Sequence, residues 1–116
     1  MEKILLAESE RDLSKAIENY LSLFNVNVFV ANDGVQILNE FSSNTYDIVI
    51  IDDNLSRIDS IDVIKKIRCF NNRVKIILLS SKTMCEEIKG YDEVILSPFT
   101  PFELRESLCK VGGALW

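Results

Sequence analysis

The chemistry in this chain gathers around Asp52. It closes the stretch Tyr46-Asp47-Ile48-Val49-Ile50-Ile51 and is followed at once by Asp53 and Asn54. A second acidic cluster, Glu8-Ser9-Glu10, follows the apolar run Lys3 to Ala7, and Ser80-Ser81 follows a third such run, Val74 to Leu79. If these ends meet, the residues suit a definite chemistry. Two neighbouring carboxylates bind a hard divalent cation, and Mg²⁺ takes one or two carboxylates together with waters and phosphate oxygens. An Asp so placed attacks phosphorus and forms an acyl phosphate. The transferring group then needs hydrogen-bond donors and positive charge around its equatorial oxygens. Ser80 is a donor of the right kind. The positive charge is missing: where a fifth strand should end, the chain reads Ser97-Pro98-Phe99.

The elements that must hold these residues are legible from periodicity. Four consecutive β-branched residues, Ile48 to Ile51, are too apolar for a strand with one wet face and suit a parallel sheet covered on both sides. Lys3 to Ala7 and Val74 to Leu79 read the same way. Val26, Val28, Phe29 and Val30 mark the second strand, and Glu93 to Leu96 the fifth. Between them, Leu13, Ala16, Ile17, Tyr20, Leu21 and Phe24 recur at helical spacing over residues ~10 to ~24. Val35, Leu38 and Phe41 mark a second helix, opened by a capping box of Asp33 and Gln36. Ile61, Ile64 and Ile67 mark a third. Lys82 to Gly90 holds few apolar residues and supports only a short fourth helix. The last helix has the clearest start: Thr100 as cap, Pro101 at the first helical position, Glu103 as the box partner, and Phe99 with Leu104 as a hydrophobic staple. Leu104, Leu108 and Val111 form its buried stripe, and Gly112-Gly113 ends it.

Strands alternating with helices in this way predict one α/β domain with a doubly wound parallel sheet of order 2-1-3-4-5, a flavodoxin-like three-layer sandwich. That order sets the ends of strands one, three and four side by side, so Glu8, Asp52 and Ser80 are expected to converge. The domain is expected to span residues 1–112, with 113–116 a tail or the start of a linker.

Composition removes several classes. A chain of 116 residues, 47% hydrophobic and 27% charged, makes one globular domain and is short for two. No apolar run is long enough to span a membrane and no secretory leader opens the chain, so a soluble, cytoplasmic protein is expected. Without a histidine, Ser/His and Cys/His nucleophile pairs are excluded. Cys69, Cys85 and Cys109 form neither a disulfide framework nor a zinc pattern and are expected as small apolar fillers. A net charge of −5 argues against this domain gripping nucleic acid by itself.

From Lys3 to Val111 the ordered set of residues resembles the response-regulator receiver domain of bacterial two-component signalling. The resemblance implies that Asp52 is the aspartate accepting phosphoryl from a histidine kinase. It makes Glu8 the first of the acidic pair after strand one, and Asn54 the donor of a main-chain carbonyl to Mg²⁺. Ser80 takes the place of the hydroxyl that binds the phosphoryl group and couples it to the switch. Pro98-Phe99 matches the last two residues of the Lys-Pro-Phe signature. The departures carry as much information. Ser9 stands where the second acid would ligate Mg²⁺, and with Asp12 three residues on it is expected to cap the first helix instead. Ser97 replaces the lysine that contacts the phosphoryl oxygens. Val94 replaces the switch aromatic, and Ser56 and Ser60 replace a Pro and a Gly of the loop after the phosphoacceptor. Lys82 is the nearest cation past Ser80, and Asp53 is expected to face solvent or a helix end.

These substitutions predict an atypical receiver. Its Mg²⁺ site, Glu8 with Asp52 and Asn54, is expected to be weak, and its signalling to run with little or no dependence on phosphorylation. It is expected to regulate an attached DNA-binding output domain through protein contacts or self-association, using the fifth helix with Glu103, Arg105, Glu106 and Lys110 on its polar side. Any contact with DNA belongs to a domain outside this chain. The alternative is a conventional Mg²⁺-dependent receiver phosphorylated on Asp52 by a histidine kinase. A flavodoxin-like nucleotide or flavin binder of the same topology would need a phosphate loop after strand one, and Glu8-Ser9-Glu10 repels phosphate. A haloacid-dehalogenase-like phosphatase would need a nucleophilic Asp there.

Overall fold

A computed structural model describes residues 2–55, 57–81 and 88–112. Five strands, β1 (Glu2–Ala7), β2 (Val26–Ala31), β3 (Ile48–Asp52), β4 (Lys75–Ser80) and β5 (Glu93–Leu96), pair in parallel in the order β2-β1-β3-β4-β5. Among the described residues four helices cover the sheet: α1 (Arg11–Leu21), α2 (Gly34–Ser43), α3 (Ser60–Phe70) and α4 (Pro101–Gly112). The expected doubly wound sheet is therefore present. The short helix read into Lys82–Gly90 falls largely outside the described residues, as do Ser56, Lys82, Cys85 and the tail 113–116. The expected last helix is α4.

The three central strands bury both faces, and their alternation divides the core in two. Leu5, Ala7, Val49, Ile51, Ile76 and Leu78 point toward α2 and α3. Ile4, Leu6, Ile48, Ile50, Ile77, Leu79 and Ile95 point toward α1 and α4. This explains why the central runs are uniformly apolar. Edge strand β2 alternates half-buried with exposed residues along most of its length.

Local differences from the periodic reading have local causes. α1 stops at Leu21; Phe24 lies in the following turn, its ring 5.4 Å from that of Tyr20 in an edge-on pair. The buried stripe of α2 is Gly34, Ile37 and Phe41, so Val35 and Leu38 flank it instead of forming it. Gly34 is there because the β3–α3 loop docks on it: a Cβ would stand 2.6 Å from the Cβ of Ile58. The α2 box forms with a shift, since Asp33 Oδ1 accepts from Gln36 N–H but Gln36 Oε1 accepts from Asn32 N–H. At α4 the box is reciprocal, joining Thr100 and Glu103 in both directions.

The amino end of the sheet is tied by polar groups. Arg68, on the last turn of α3, donates to the carbonyls of Gly90 (2.8 Å) and Val74 (2.5 Å) and to Asp92 Oδ2 (2.8 Å). The same Asp92 oxygen accepts Ile76 N–H at 2.8 Å. Lys3 N–H donates to Asp47 Oδ2, the Lys3 ammonium lies 5.4 Å from the centroid of the Tyr46 ring, and Tyr46 O–H donates to Glu40. Burial, with Glu40 beside it, pushes the Tyr46 hydroxyl well up from its ordinary range.

On α4 the charged side chains divide. Arg105 stacks over the ring of Phe24, 5.6 Å from its centroid, and so faces α1. Lys110 pairs with Glu93 of β5 at 3.4 Å. The single polar side expected of this helix is thus two sides, and Arg105 is committed to the intramolecular one.

Candidate functional site

Carrying the alternation one residue past each strand end sorts the polar residues by face. Glu8, Asp52, Ser81 and Ser97 continue the series that point toward α1 and α4. Ser80, Asp53 and Val94 belong to the series that point toward α2 and α3. An open cleft of about 440 Å³ lies at the carboxyl ends of the strands, lined by Glu8, Ser9, Glu10, Asp52, Asn54, Ser81 and Ser97, with Asp53 and Leu13 at its sides. Among the described residues no lysine or arginine lines it.

Glu8 and Asp52 meet as expected. Glu8 is buried, 3% exposed, and its Oε2 has no hydrogen-bond partner, while Oε1 accepts Glu10 N–H at 3.3 Å. Burial first, then contact with the Asp52 carboxyl, pushes the Glu8 carboxyl up to about 9. A carboxyl raised that far keeps its proton near neutral pH, so Glu8 sits beside Asp52 as the uncharged acid. Asp52 is itself oriented: Oδ1 accepts Asn54 N–H at 2.8 Å, and its carbonyl accepts the Ser60 hydroxyl at 2.6 Å. Ser60, at the buried start of α3, thus anchors the end of β3 from below.

The expectation for Ser9 needs correction. Ser9 is not the α1 cap. The cap position is Glu10, whose carbonyl accepts Ser14 N–H and whose side chain makes no capping bond; the helix starts one residue too late for a Ser9–Asp12 box. Ser9 instead lies at the cleft. Ser80, 1% exposed, donates its hydroxyl to Asp53 Oδ2 at 2.7 Å. Asp53, expected to face solvent or a helix end, reaches back over β4, and its N–H donates to the Leu79 carbonyl. Asp53, Ser60 and Ser81 are the site residues that motif reasoning passes over or assigns elsewhere. Alternation is the signal that finds Ser81, since it shares parity with Leu79 and Ile77.

Ser97 stands at the cleft after β5, its N–H donating to the Ser80 carbonyl at 2.7 Å. Val94 is partly buried against the α2/α3 half of the core. The loop from Asp53 to Asp59 carries Arg57 in the left-handed region, φ 75°, with Asp33 3.8 Å away. Asp59 caps α3 by accepting Ile61 N–H.

The donor set suits a hard cation in a minimal way. Two carboxyl groups forced together, one with an orphaned buried oxygen, are the kind of oxygen donors a divalent ion draws together, and the Asn54 carbonyl follows on the same turn. Among the described residues no group of three or more acidic, cysteine or histidine side chains is placed to hold a metal.

The response regulator receiver domain profile matches residues 4–108. The chain is 32% identical over 109 residues to the probable transcriptional regulator ycf29 of Pyropia yezoensis, covering 88% of this chain and 49% of that protein. It is 31% identical over 120 residues to the response regulator ArlR of Staphylococcus saprophyticus, covering 99% and 53%. The chain thus spans about half the length of these relatives. Among solved structures, the chemotaxis response regulator CheY4 of Vibrio cholerae superposes with a TM-score of 0.89 at 21% identity, over 96% of this chain and 98% of that one. The response regulator TrrA of Thermotoga maritima, determined in complex with Mg²⁺ and BeF, gives 0.88 at 27% identity over 96% and 99%.

Proposed function

Since this chain belongs to the response regulator receiver domain family, we propose that it works as an atypical receiver whose signalling does not depend on phosphorylation of Asp52. One observation carries the reading: at the cleft, Ser97 stands at the end of β5 and, among the described residues, no cation joins the acids. An acyl phosphate at Asp52 would set a dianion beside Glu8. Preorganised donors and positive charge supply most of the transition-state stabilisation in such transfers, and losing one good donor costs ~3 kcal/mol, a hundredfold or more in rate.

Mg²⁺, where it binds, would be held by Glu8, Asp52 and the Asn54 carbonyl. Its contribution is to neutralise charge on the transferring group. With Ser9 in place of a second acid the site is weak, and loading it requires Glu8, raised by burial and by the neighbouring Asp52 carboxyl, to give up its proton. This chain's own residues do the rest: Asn54 N–H and Ser60 fix the Asp52 carboxylate and main chain, and Val94 offers no ring to move when Ser80 moves.

Transcriptional regulators among the relatives, each about twice the matched length, support an output domain that binds DNA and lies outside this chain. The surface proposed for self-association or for that domain is the β5/α4 side, with Leu96, Phe102, Glu106 and the Lys110–Glu93 pair; Leu96 and Phe102 are 45% and 68% exposed. No helix among the described residues is long and apolar enough to cross a membrane, which fits action in the cytoplasm. The domain is regulatory and is not proposed as an enzyme.

The conventional reading, a receiver phosphorylated on Asp52 by a histidine kinase, is favoured by the retained Glu8–Asp52 pair. One experiment separates the two. The protein is treated with acetyl phosphate in Mg²⁺ and its intact mass followed, while Asp52→Ala is tested for output in the full-length protein. The expected result is no stoichiometric modification and an output close to wild type. Stoichiometric phosphorylation with loss of output in Asp52→Ala restores the conventional switch.

A further inference from the structure

The contact between Ser80 and Asp53 has no part in the acid pair, yet it decides what the cleft can offer an anion. Ser80 is almost fully buried, and its main chain is held on both sides. Ser97 N–H donates to its carbonyl at 2.7 Å, and the preceding Leu79 carbonyl accepts Asp53 N–H at 2.9 Å. Its side chain points toward the α2/α3 half of the molecule, away from the face that Asp52 occupies. A serine hydroxyl has a single hydrogen, and here it is given to Asp53 Oδ2 at 2.7 Å. A hydrogen bond to a charged acceptor is stronger than one between neutral groups. An oxyanion at Asp52 that sought this donor would have to take it from a carboxylate already in place.

We propose that Asp53 is a positioning residue that withholds the Ser80 hydroxyl from any phosphoryl group at Asp52, and so latches the end of β4 in one arrangement. The inference deepens the phosphorylation-independent reading, on which it rests. It adds a second obstacle to the one set by Ser97 in the place of a lysine. The lost lysine weakens attraction for the group, whereas the latch removes a specific donor and leaves its own negative charge at the cleft wall.

The reaction that exposes the latch is transfer from acetyl phosphate. An Asp52 carboxylate oxygen attacks phosphorus, the bond from phosphorus to the acetyl oxygen breaks, and acetate leaves with the electron pair. The new acyl phosphate then needs Ser80 O–H on an equatorial oxygen. Freed of Asp53, that hydroxyl is available.

The test compares modification rates by intact mass for wild type, Asp53→Ala, Asp53→Asn, Ser80→Ala and the double variant Asp53→Ala/Ser80→Ala. All are held at one concentration of Mg²⁺ and acetyl phosphate, and amide spectra verify that each is folded. Asp53→Ala should react faster than wild type by roughly tenfold or more. Asp53→Asn should fall between them, because its amide oxygen still accepts the hydroxyl without the charge. The gain should vanish in the double variant. A gain that survives removal of Ser80 would reduce Asp53 to a general repulsive charge and overturn the latch, and so would equal rates, or no reaction, in wild type and Asp53→Ala. The absolute level reached by wild type judges the parent reading, while the ratio and its need for Ser80 judge the latch, so each can fail without the other.

Discussion

The two ends of the sheet solve opposite problems with similar residues. At the amino end, each of the three guanidinium nitrogens of Arg68 donates, two to carbonyls and one to Asp92, and Asp92 in turn takes Ile76 N–H. Asp47 and Glu40 likewise have donors in Lys3 N–H and Tyr46 O–H. At the carboxyl end, Glu8 is driven against Asp52 with a buried oxygen lacking any donor, and Arg57 is held in a backbone region that disfavours side chains. Paired buried polar groups cost little and fix geometry, whereas unpaired ones cost stability. The difference sets the carboxyl end apart without reference to any motif: among the described residues, the carboxyl whose charge burial opposes and the left-handed Arg57 lie there, whereas the polar groups named at the amino end have partners.

The sharpest way to break that comparison is to remove the carboxyl whose ionisation the fold opposes. Glu8 has a folded-state pKa raised from about 4.5 to about 9, so folding takes up a proton between those values. Its contribution is fully present below the unfolded value and is lost as pH rises toward the folded one, with a slope of at most ~1.4 kcal/mol per pH unit. From pH 5 to pH 8 the wild type should therefore lose up to ~4 kcal/mol relative to Glu8→Gln, which has no proton to take up. Urea denaturation of both proteins at the two pH values measures this. Parallel stability curves would show that Glu8 is solvated and that the carboxyl end stores no such penalty.

How much of this is open to reading from the residues follows from the same physics. The sheet order and the meeting of Glu8 with Asp52 come from apolar runs that end in acids, a signal carried by neighbouring residues. The Ser80–Asp53 bond does not, because it depends on which face each side chain takes after the strand has ended, and a motif names residues without facing them. The Ser9 cap fails because one residue of helix start decides it, and Glu10 and Ser9 are both tolerable there. Arg105 is misplaced on α4 because its partner, Phe24, lies in a turn that periodicity assigns to the first helix. The Arg68 network reaches main-chain carbonyls up to 22 positions away and the Asp92 carboxylate 24 positions away, and acceptors on the main chain leave no trace in composition.

Breaking the other side of the comparison should cost somewhat less than the full Glu8 effect. Arg68→Ala leaves the Gly90 and Val74 carbonyls and the Asp92 carboxylate without their donor, in a place where the Arg68 side chain is 18% exposed. A loss of ~3 kcal/mol is expected. Arg68→Lys should recover little, because an ammonium cannot reproduce the planar fork that serves three acceptors. Thermal denaturation at fixed pH reads both variants. A loss under ~1 kcal/mol for Arg68→Ala would place this network with exposed surface ion pairs and remove the contrast between the two ends.

The smallest effect concerns the loop that follows Asp53, and its sign is the informative part. Arg57 has φ 75°, a conformation that costs a side chain ~1 kcal/mol and glycine almost nothing. Against this stands its ion pair with Asp33, at 3.8 Å and with the Arg57 side chain 65% exposed; such a pair contributes a few tenths of a kcal/mol at most, on the order of 0.2–0.5. Glycine also loses more backbone freedom on folding, which offsets part of the relief. The balance leaves Arg57→Gly more stable than wild type by ~0.5 kcal/mol, and Arg57→Asn close behind, since Asn tolerates the left-handed region. Ile58 should stay docked on Gly34 in both variants, so amide shifts at Gly34 should hardly change. Denaturant midpoints at low and high salt decide the matter. A destabilised Arg57→Gly that recovers at high salt would mean the Asp33 pair outweighs the strain, and the carboxyl end would then hold a compensated loop beside its uncompensated acids.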